Sequence, residues 1–481
     1  MTEVRNILKR LPVDQQSFAN IREKDYMYVD KTALVYRLAH AYEYVFLSRP
    51  RRFGKTLLTS TLEAYFQGRK DLFQGLAIEH LESEWTEYPV LKFDMSSVRS
   101  ANPDTIRENI AFMLEDAERR FSLESKGQLS ITARLANLIT LLHEKSGKKA
   151  VVIVDEYDAP LLDLLHSEKE PEVREILKEF YSPLKSSYEH IRFVFITGIT
   201  KFSQLSIFSM LNNLKNISML PEYAAICGFT EDEVFTTFSS HIEKLSEELG
   251  VDVEQARGLL KQRYDGYHFC AGSPDIYNPF SILNALDSAG INDYWFSSGT
   301  PTFLISEMQR FGTDILSLEG LPVKASQFDV PTEAMETALP LLYQSGYLTI
   351  KGYNRERDTY TLSIPNDEVR RGLMSGLAPL VLGKKAAAES STFQDAFIDD
   401  WSAGNYESAL QRIRSFLAGI PYPEFSGELI RKEGYYETLI YVLFASGYYG
   451  MSVHTQVKTA RGRVDMVVEL PQTVTAFEFK V

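Results

Sequence analysis

Three groups of residues have side chains of the type and spacing that could do chemistry. The first is Gly54-Lys55-Thr56, which closes the loop Arg49-Pro50-Arg51-Arg52-Phe53 between an apolar run and an amphipathic segment. A glycine, a lysine and a hydroxyl at a strand-to-helix junction are how a phosphate-binding loop ends. The helix N-terminus offers unpaired N–H groups to phosphate oxygens. Lys55 would add a charge near the β- and γ-phosphates, and Thr56 would take one Mg²⁺ position. The second group, Asp155-Glu156, follows the apolar run 150–154. There Asp155 would hold Mg²⁺ through water, and Glu156 would orient and deprotonate an attacking water. The third group is Asp465, Glu478 and Lys480, close to the last residue.

The full loop pattern G-x-x-x-x-G-K-[ST] needs a glycine at 49, where this chain has Arg49. By itself the loop also fits a basic turn before an ordinary helix, and two acids after a core strand are common. Both halves stand in the right order, each at a strand end, and this favours a nucleotide site.

The elements that must position these groups follow in chain order. Residues 44–47 read as a buried strand and 57–66 as a helix; 89–94 read as a strand, and 103–120 as a helix started by Asn102-Pro103-Asp104. A helix near 131–145 leads to the acidic strand, then a helix at 171–189 and a strand at 191–198. Continuous apolarity suits parallel strands covered on both faces, and the alternation predicts a P-loop-type α/β sheet with helices on both sides. Thr197 ends the last of these strands, either as a γ-phosphate sensor or as a plain turn residue.

Composition sets outer bounds. The chain has 481 residues, ordinary apolar content of 44% and charged content of 24%, and a net charge of −14. That length predicts two or three domains. That charge supplies no global field toward nucleic acid or anionic lipid. Two distant cysteines, Cys227 and Cys270, no signal peptide and no membrane-length apolar run predict a cytoplasmic protein without a membrane partner. The sequence divides at pattern changes into 1–225, a mostly helical lid or winged-helix-like middle at 226–384, and 385–481. Thr230 and Glu233 read as a capping box, and 342–350 with 359–364 as a small helix-hairpin unit. Residues 384–389 read as a linker or a helix.

In the last segment, 428–446 reads as a helix carrying Glu433 and Glu437, and 464–470 and 473–481 as strands around Pro471-Gln472. A hairpin about that turn pairs Leu470 with Thr473 and, further out, Asp465 with Glu478. It places Lys480 on the same face and Val464, Met466, Val468 and Leu470 on the opposite, apolar face. Like charges opposite each other destabilise a hairpin. A divalent cation held by Asp465 and Glu478, with Lys480 beside it, would be a phosphodiesterase site; a solvated charged face is the alternative.

The stretches 49–56, 151–158 and 197–203 resemble the bacterial AAA-ATPase-like family, as do Tyr264-Asp265-Gly266-Tyr267 and Tyr277-Asn278-Pro279. Glu433-Gly434-Tyr435-Tyr436, Gly462-Arg463-Val464-Asp465 and Phe477-Glu478-Phe479-Lys480 resemble the PD-(D/E)xK nuclease-superfamily domain fused to it. The resemblance implies ATP and Mg²⁺ as cofactors and the arginine-proline stretch in place of the first loop glycine. It also implies a C-terminal α/β restriction-endonuclease-like domain, with Glu433 as its helix carboxylate. Relative to that superfamily, the nuclease core looks truncated after Lys480, and weak or absent cleavage is expected. The leading expectation is an ATPase whose turnover controls a metal-dependent nuclease acting on DNA or RNA. A nucleotide-dependent switch that binds a protein partner through an inert scaffold is the alternative. A metal nuclease with a purely structural nucleotide is a third reading, and assembly into a homo-oligomer stays open.

Overall fold

Five strands form a parallel sheet: four carry mostly apolar runs, which suits burial on both faces, and a two-residue polar strand closes one edge. They are β1 (Tyr44–Ser48), β2 (Val90–Asp94), β3 (Ala150–Asp155), β4 (Ile191–Gly198) and β5 (Lys215–Asn216), in the spatial order β2-β3-β4-β1-β5. Every pairing in this sheet is parallel. All six residues of β3 are buried, and each fully buried aliphatic or aromatic side chain contributes about 1.5–3 kcal/mol. The helices α1 (Lys55–Phe66), α2 (Pro103–Arg120), α3 (Ile131–Ser146) and α4 (Glu170–Tyr181) join the strands. Asn102 caps α2 by accepting from the Asp104 N–H at 3.2 Å, and the Ser130 side chain caps α3. The helix expected at 171–189 is interrupted: α4 stops at Tyr181 and a separate turn, Pro183–Ser186, follows. Pro183 has no N–H with which to continue the ladder.

The computed structural model describes residues 8–124, 129–162, 164–201, 213–297, 302–331, 334–420, 435–447, 451–459, 462–470 and 473–479. The chain divides into two units. One is Met1–Val253 with Gly272–Ala289 and Val330–Ala334, and the other is Glu254–Ala271 with Gly290–Asp329 and Met335–Val481. No break falls at 225 or 384, where the sequence pattern changes. Residues just past 225 are held to the first unit, since Glu233 completes a capping box with Thr230 and accepts from Lys31 Nζ at 2.6 Å. Residues 384–389 are the first turns of a helix, Lys384–Ser402, that packs on the helix Asp367–Val381.

The second unit has two antiparallel sheets among helices. In one, Leu321–Val323 and Thr349–Asn354 flank the central strand Thr359–Ser363. The hairpin expected here is present, but its first strand starts only at Thr349. Leu342 and Gln344 lie on the helix Leu339–Gln344 instead, with Pro340 in its first turn and Gly346 left-handed just past its end. In the other sheet, Ser452–Thr459, Gly462–Leu470 and Thr473–Phe477 form a meander. Leu470 pairs with Thr473, Val468 with Thr475 and Met466 with Phe477, which is the register derived from burial. Met466 and Val468 are buried. Phe477 packs 6.1 Å from both Phe444 and Trp401, centroid to centroid. Among the described residues no helix is long and apolar enough to cross a membrane.

Candidate functional site

Register brings the C-terminal ends of the strands level. Ser48 lies beside Gly198, and Asp94 beside Asp155, so β1, β2, β3 and β4 end along one edge, where open α/β sheets bind ligands. The loop after β1 turns on two residues with positive φ, Arg52 at 68° and Gly54 at 91°. Gly54 is the N-cap of α1, and an added Cβ there would meet nothing within 4 Å. Its glycine character is therefore a matter of backbone conformation rather than space.

The loop side chains divide by burial. Pro50 and Phe53 are buried and Arg51 and Arg52 exposed, with the Arg52 guanidinium 4.8 Å over the Phe280 ring. Arg49 is only 2% exposed. It donates to the carbonyls of Ser48 at 2.9 Å, Ser218 at 2.8 Å and Tyr223 at 3.1 Å. Its guanidinium therefore fastens the loop to the segment after β5. Arg49→Met should lower the unfolding free energy by about 2–4 kcal/mol, because it strands those buried carbonyls; urea denaturation followed by circular dichroism checks this.

Lys55 opens α1 and is 3% exposed. Its Nζ donates to the carbonyls of Arg49 at 3.1 Å and Pro50 at 3.2 Å, and lies 3.4 Å from Glu156 Oε1. Thr59 Oγ1 donates to Asp155 Oδ2 at 3.4 Å, and Thr56 stands near enough to Asp155 to favour its ionised form. Asp155 is 2% exposed. Burial, then the charge of Glu156, pushes its carboxyl up, while Thr56 and Lys55 oppose the shift. Lys55, Thr56, Asp155 and Glu156 thus stand together, although β4 separates their parent strands in the sheet.

Thr197 is fully buried and its hydroxyl donates to the Leu47 carbonyl at 2.7 Å, which ties β4 to β1. Sequence reading did not single out Asp94 or Asp158. Asp94 ends β2 next to Asp155 and adds to the upward shift of its carboxyl; its place at the end of a strand, like that of Asp155, was the available signal. Asp158 is 1% exposed and accepts from the residues after β4. Gly198 makes this approach possible: a Cβ there would sit 2.5 Å from both Asp158 Oδ1 and Tyr157 Cδ1. Gly198→Ala is expected to cost about 1–3 kcal/mol through overpacking, read as a lower denaturation midpoint at unchanged slope.

The donor set suits Mg²⁺, a hard cation that takes one or two carboxylates and completes its shell with water and phosphate oxygens. A hydroxyl and a carboxylate converge here. Among the described residues no three His, Cys, Asp or Glu side chains form a group able to hold a metal by themselves.

The second constellation is described in part. Asp465 is half-buried and its Oδ2 accepts from the Phe479 N–H at 2.8 Å. Glu478 is exposed and stands one residue beyond the Met466–Phe477 pair. Glu437 lies in the first turn of the helix Tyr435–Ala445. Glu433, Lys480 and the turn Pro471-Gln472 lie outside the described residues.

Residues 12–208 match the family described as predicted AAA-ATPase, and residues 431–481 match the PD-(D/E)XK nuclease superfamily. An uncharacterized protein in the vnfD 5' region of Azotobacter chroococcum mcd 1 is 35% identical over 482 residues, 98% of this chain and 89% of that protein. The chain belongs to the predicted AAA-ATPase family. Its C-terminal sheet is the part matched to the nuclease superfamily. Two solved structures are similar at 13% identity. The Aeropyrum pernix Orc1 protein in complex with DNA has a TM-score of 0.27, over 76% of this chain and 97% of that one. Cdc6p from Pyrobaculum aerophilum has a TM-score of 0.24, over 76% and 93%. Scores this low carry no argument about fold or partner.

Proposed function

We propose that the first unit binds ATP with Mg²⁺ and hydrolyses it, and that turnover governs a metal-dependent nuclease module at the C-terminal end acting on DNA or RNA. The observation that carries the ATPase reading is the meeting of Lys55, Thr56, Asp155 and Glu156 at one sheet edge. Lys55 is placed to give up its two carbonyl partners for phosphate oxygens, and so to leave Glu156. Glu156, one-quarter exposed, can then accept a proton from water while the water oxygen attacks the γ-phosphorus and the bond to the β-phosphate oxygen breaks. Thr56 and Asp155 would hold Mg²⁺, which when bound neutralises charge developing on the phosphate oxygens. Backbone N–H groups at the start of α1 receive the anion.

The nuclease part of the reading rests on the superfamily match and on the hairpin register, whose last pair, Met466 with Phe477, lies one residue inside Asp465 and Glu478. The test is phosphate release by the full chain with ATP and Mg²⁺, alone and with DNA or RNA, alongside cleavage assays on wild type and Asp465→Ala. Expected are Mg²⁺-dependent hydrolysis stimulated by nucleic acid, and any cleavage lost in Asp465→Ala. ATP binding with neither turnover nor cleavage would replace this reading with a nucleotide-dependent switch.

A further inference from the structure

Glu156 has a left-handed backbone, with φ at 49°. For a residue with a Cβ this conformation is unfavourable and persists only where neighbouring contacts over-determine it. The contacts are on both sides. The Glu156 N–H donates to Asp155 Oδ1 at 3.0 Å, the Tyr157 N–H to the Thr197 carbonyl at 3.0 Å, and the Ala159 N–H to the Glu156 carbonyl at 2.9 Å. Two residues on, the buried Asp158 carboxylate accepts from the Ile199 N–H at 3.2 Å, and from the Thr200 N–H and Oγ1, each at 2.6 Å. Gly198 is the residue whose missing side chain lets these two turns interlock. Its carbonyl also accepts from the Arg49 N–H at 3.2 Å, so the phosphate loop begins on the same turn.

A buried carboxylate is costly unless hydrogen-bonded, and burial pushes the Asp158 carboxyl up despite the Thr200 bonds. Such a group is retained at some expense, yet it has no part in the hydrolysis described above. We propose that Asp158 is a positioning residue for hydrolysis. Through Ile199 and Thr200 it locks the left-handed turn that holds the Glu156 carboxylate toward the phosphate loop. This inference rests on the ATPase reading above.

Asp158→Asn replaces an acceptor with an NH₂ group or rotates it away from three donors, and Thr200→Val removes one donor while keeping shape. Both variants should lower kcat by about 10–100-fold, the scale of a small misplacement of a catalytic group. Affinity for Mg²⁺-ATP should stay within about twofold, since the bonds that hold the phosphate loop, from the Arg49 N–H to the Gly198 carbonyl and from Lys55 Nζ to the Arg49 and Pro50 carbonyls, involve neither Asp158 nor Thr200. Thr200→Ser restores the hydroxyl and should restore turnover. In a Glu156→Gln background, Asp158→Asn should add no further loss, because it acts through the group already removed. Wild-type kcat in Asp158→Asn, an equal further loss in the Glu156→Gln background, or parallel loss of affinity would overturn the proposal. If Asp158→Asn does not fold, the Thr200→Val and Thr200→Ser pair decides by the same criteria. A wild type that hydrolyses no ATP defeats the ATPase reading and this inference with it. A hydrolysing wild type matched by the variants defeats this inference alone.

Discussion

Lys55→Ala is expected to abolish ATP binding in calorimetric titration with Mg²⁺-ATP. The lysine is 3% exposed, with its Nζ held by two loop carbonyls and 3.4 Å from Glu156. Its side chain is thus already ordered and partly dehydrated, and little entropy remains to be lost when a phosphate replaces those partners. Removing it deletes charge-assisted bonds worth about 1.5–3 kcal/mol each. Two of them correspond to roughly two to four decades in Kd. The fold should survive, because Glu156 is one-quarter exposed and can turn its freed carboxylate to water. A circular dichroism spectrum like that of the wild type would confirm this. Unchanged affinity would remove the phosphate-loop assignment.

The sheet was legible because its signal is local: uninterrupted apolar runs at 44–47, 150–154 and 193–196 separated by helical periodicity leave few arrangements besides a parallel layer. The C-terminal hairpin register was legible for a related reason. The two-residue connection between Leu470 and Thr473 sets a pairing that puts Met466 and Val468 on the same side as Phe477, and a slip of one residue would turn them to solvent. Element boundaries were less legible. Ser345-Gly346 stops a helix rather than interrupting a strand, and the low-complexity run at 384 begins a helix of 19 residues. Lysine, alanine and glutamate favour helix by propensity, but where that helix packs is decided by residues far along the chain.

The site was legible in residue types and less so in orientation. Motif spacing places Arg49 in the phosphate loop, yet its guanidinium turns inward to the carbonyls of 218 and 223. That contact depends on β5, a strand of only two residues with no apolar pattern of its own. The Thr197 hydroxyl, one of two readings open from sequence, is engaged with Leu47 across a strand pairing. The Asp158 clasp requires β3 and β4 to be neighbours, with Gly198 at the crossing point. Chemistry carried by one segment can be read from that segment. Chemistry that depends on two strand ends meeting becomes visible only once the strand order is known.

Glu156→Gln should leave ATP bound and cut turnover by about 10²–10⁴-fold, the contribution usual for a positioned general base. The substitution preserves length and the backbone N–H bond to Asp155 Oδ1, so the left-handed turn at 49° has no new reason to open. It removes the charge that now faces Lys55 at 3.4 Å. Phosphate therefore no longer competes with a carboxylate for that lysine, and affinity should hold or rise. An amide cannot take a proton from water at neutral pH, so the loss should appear in kcat while Kd is spared, measured by phosphate release beside calorimetry. Set against Lys55→Ala, which should lose both, the pair separates binding from chemistry at a single ion pair. Intact turnover in Glu156→Gln would mean that the proton goes to another group. Asp94, at the end of β2 beside Asp155, would then be the first acid to replace.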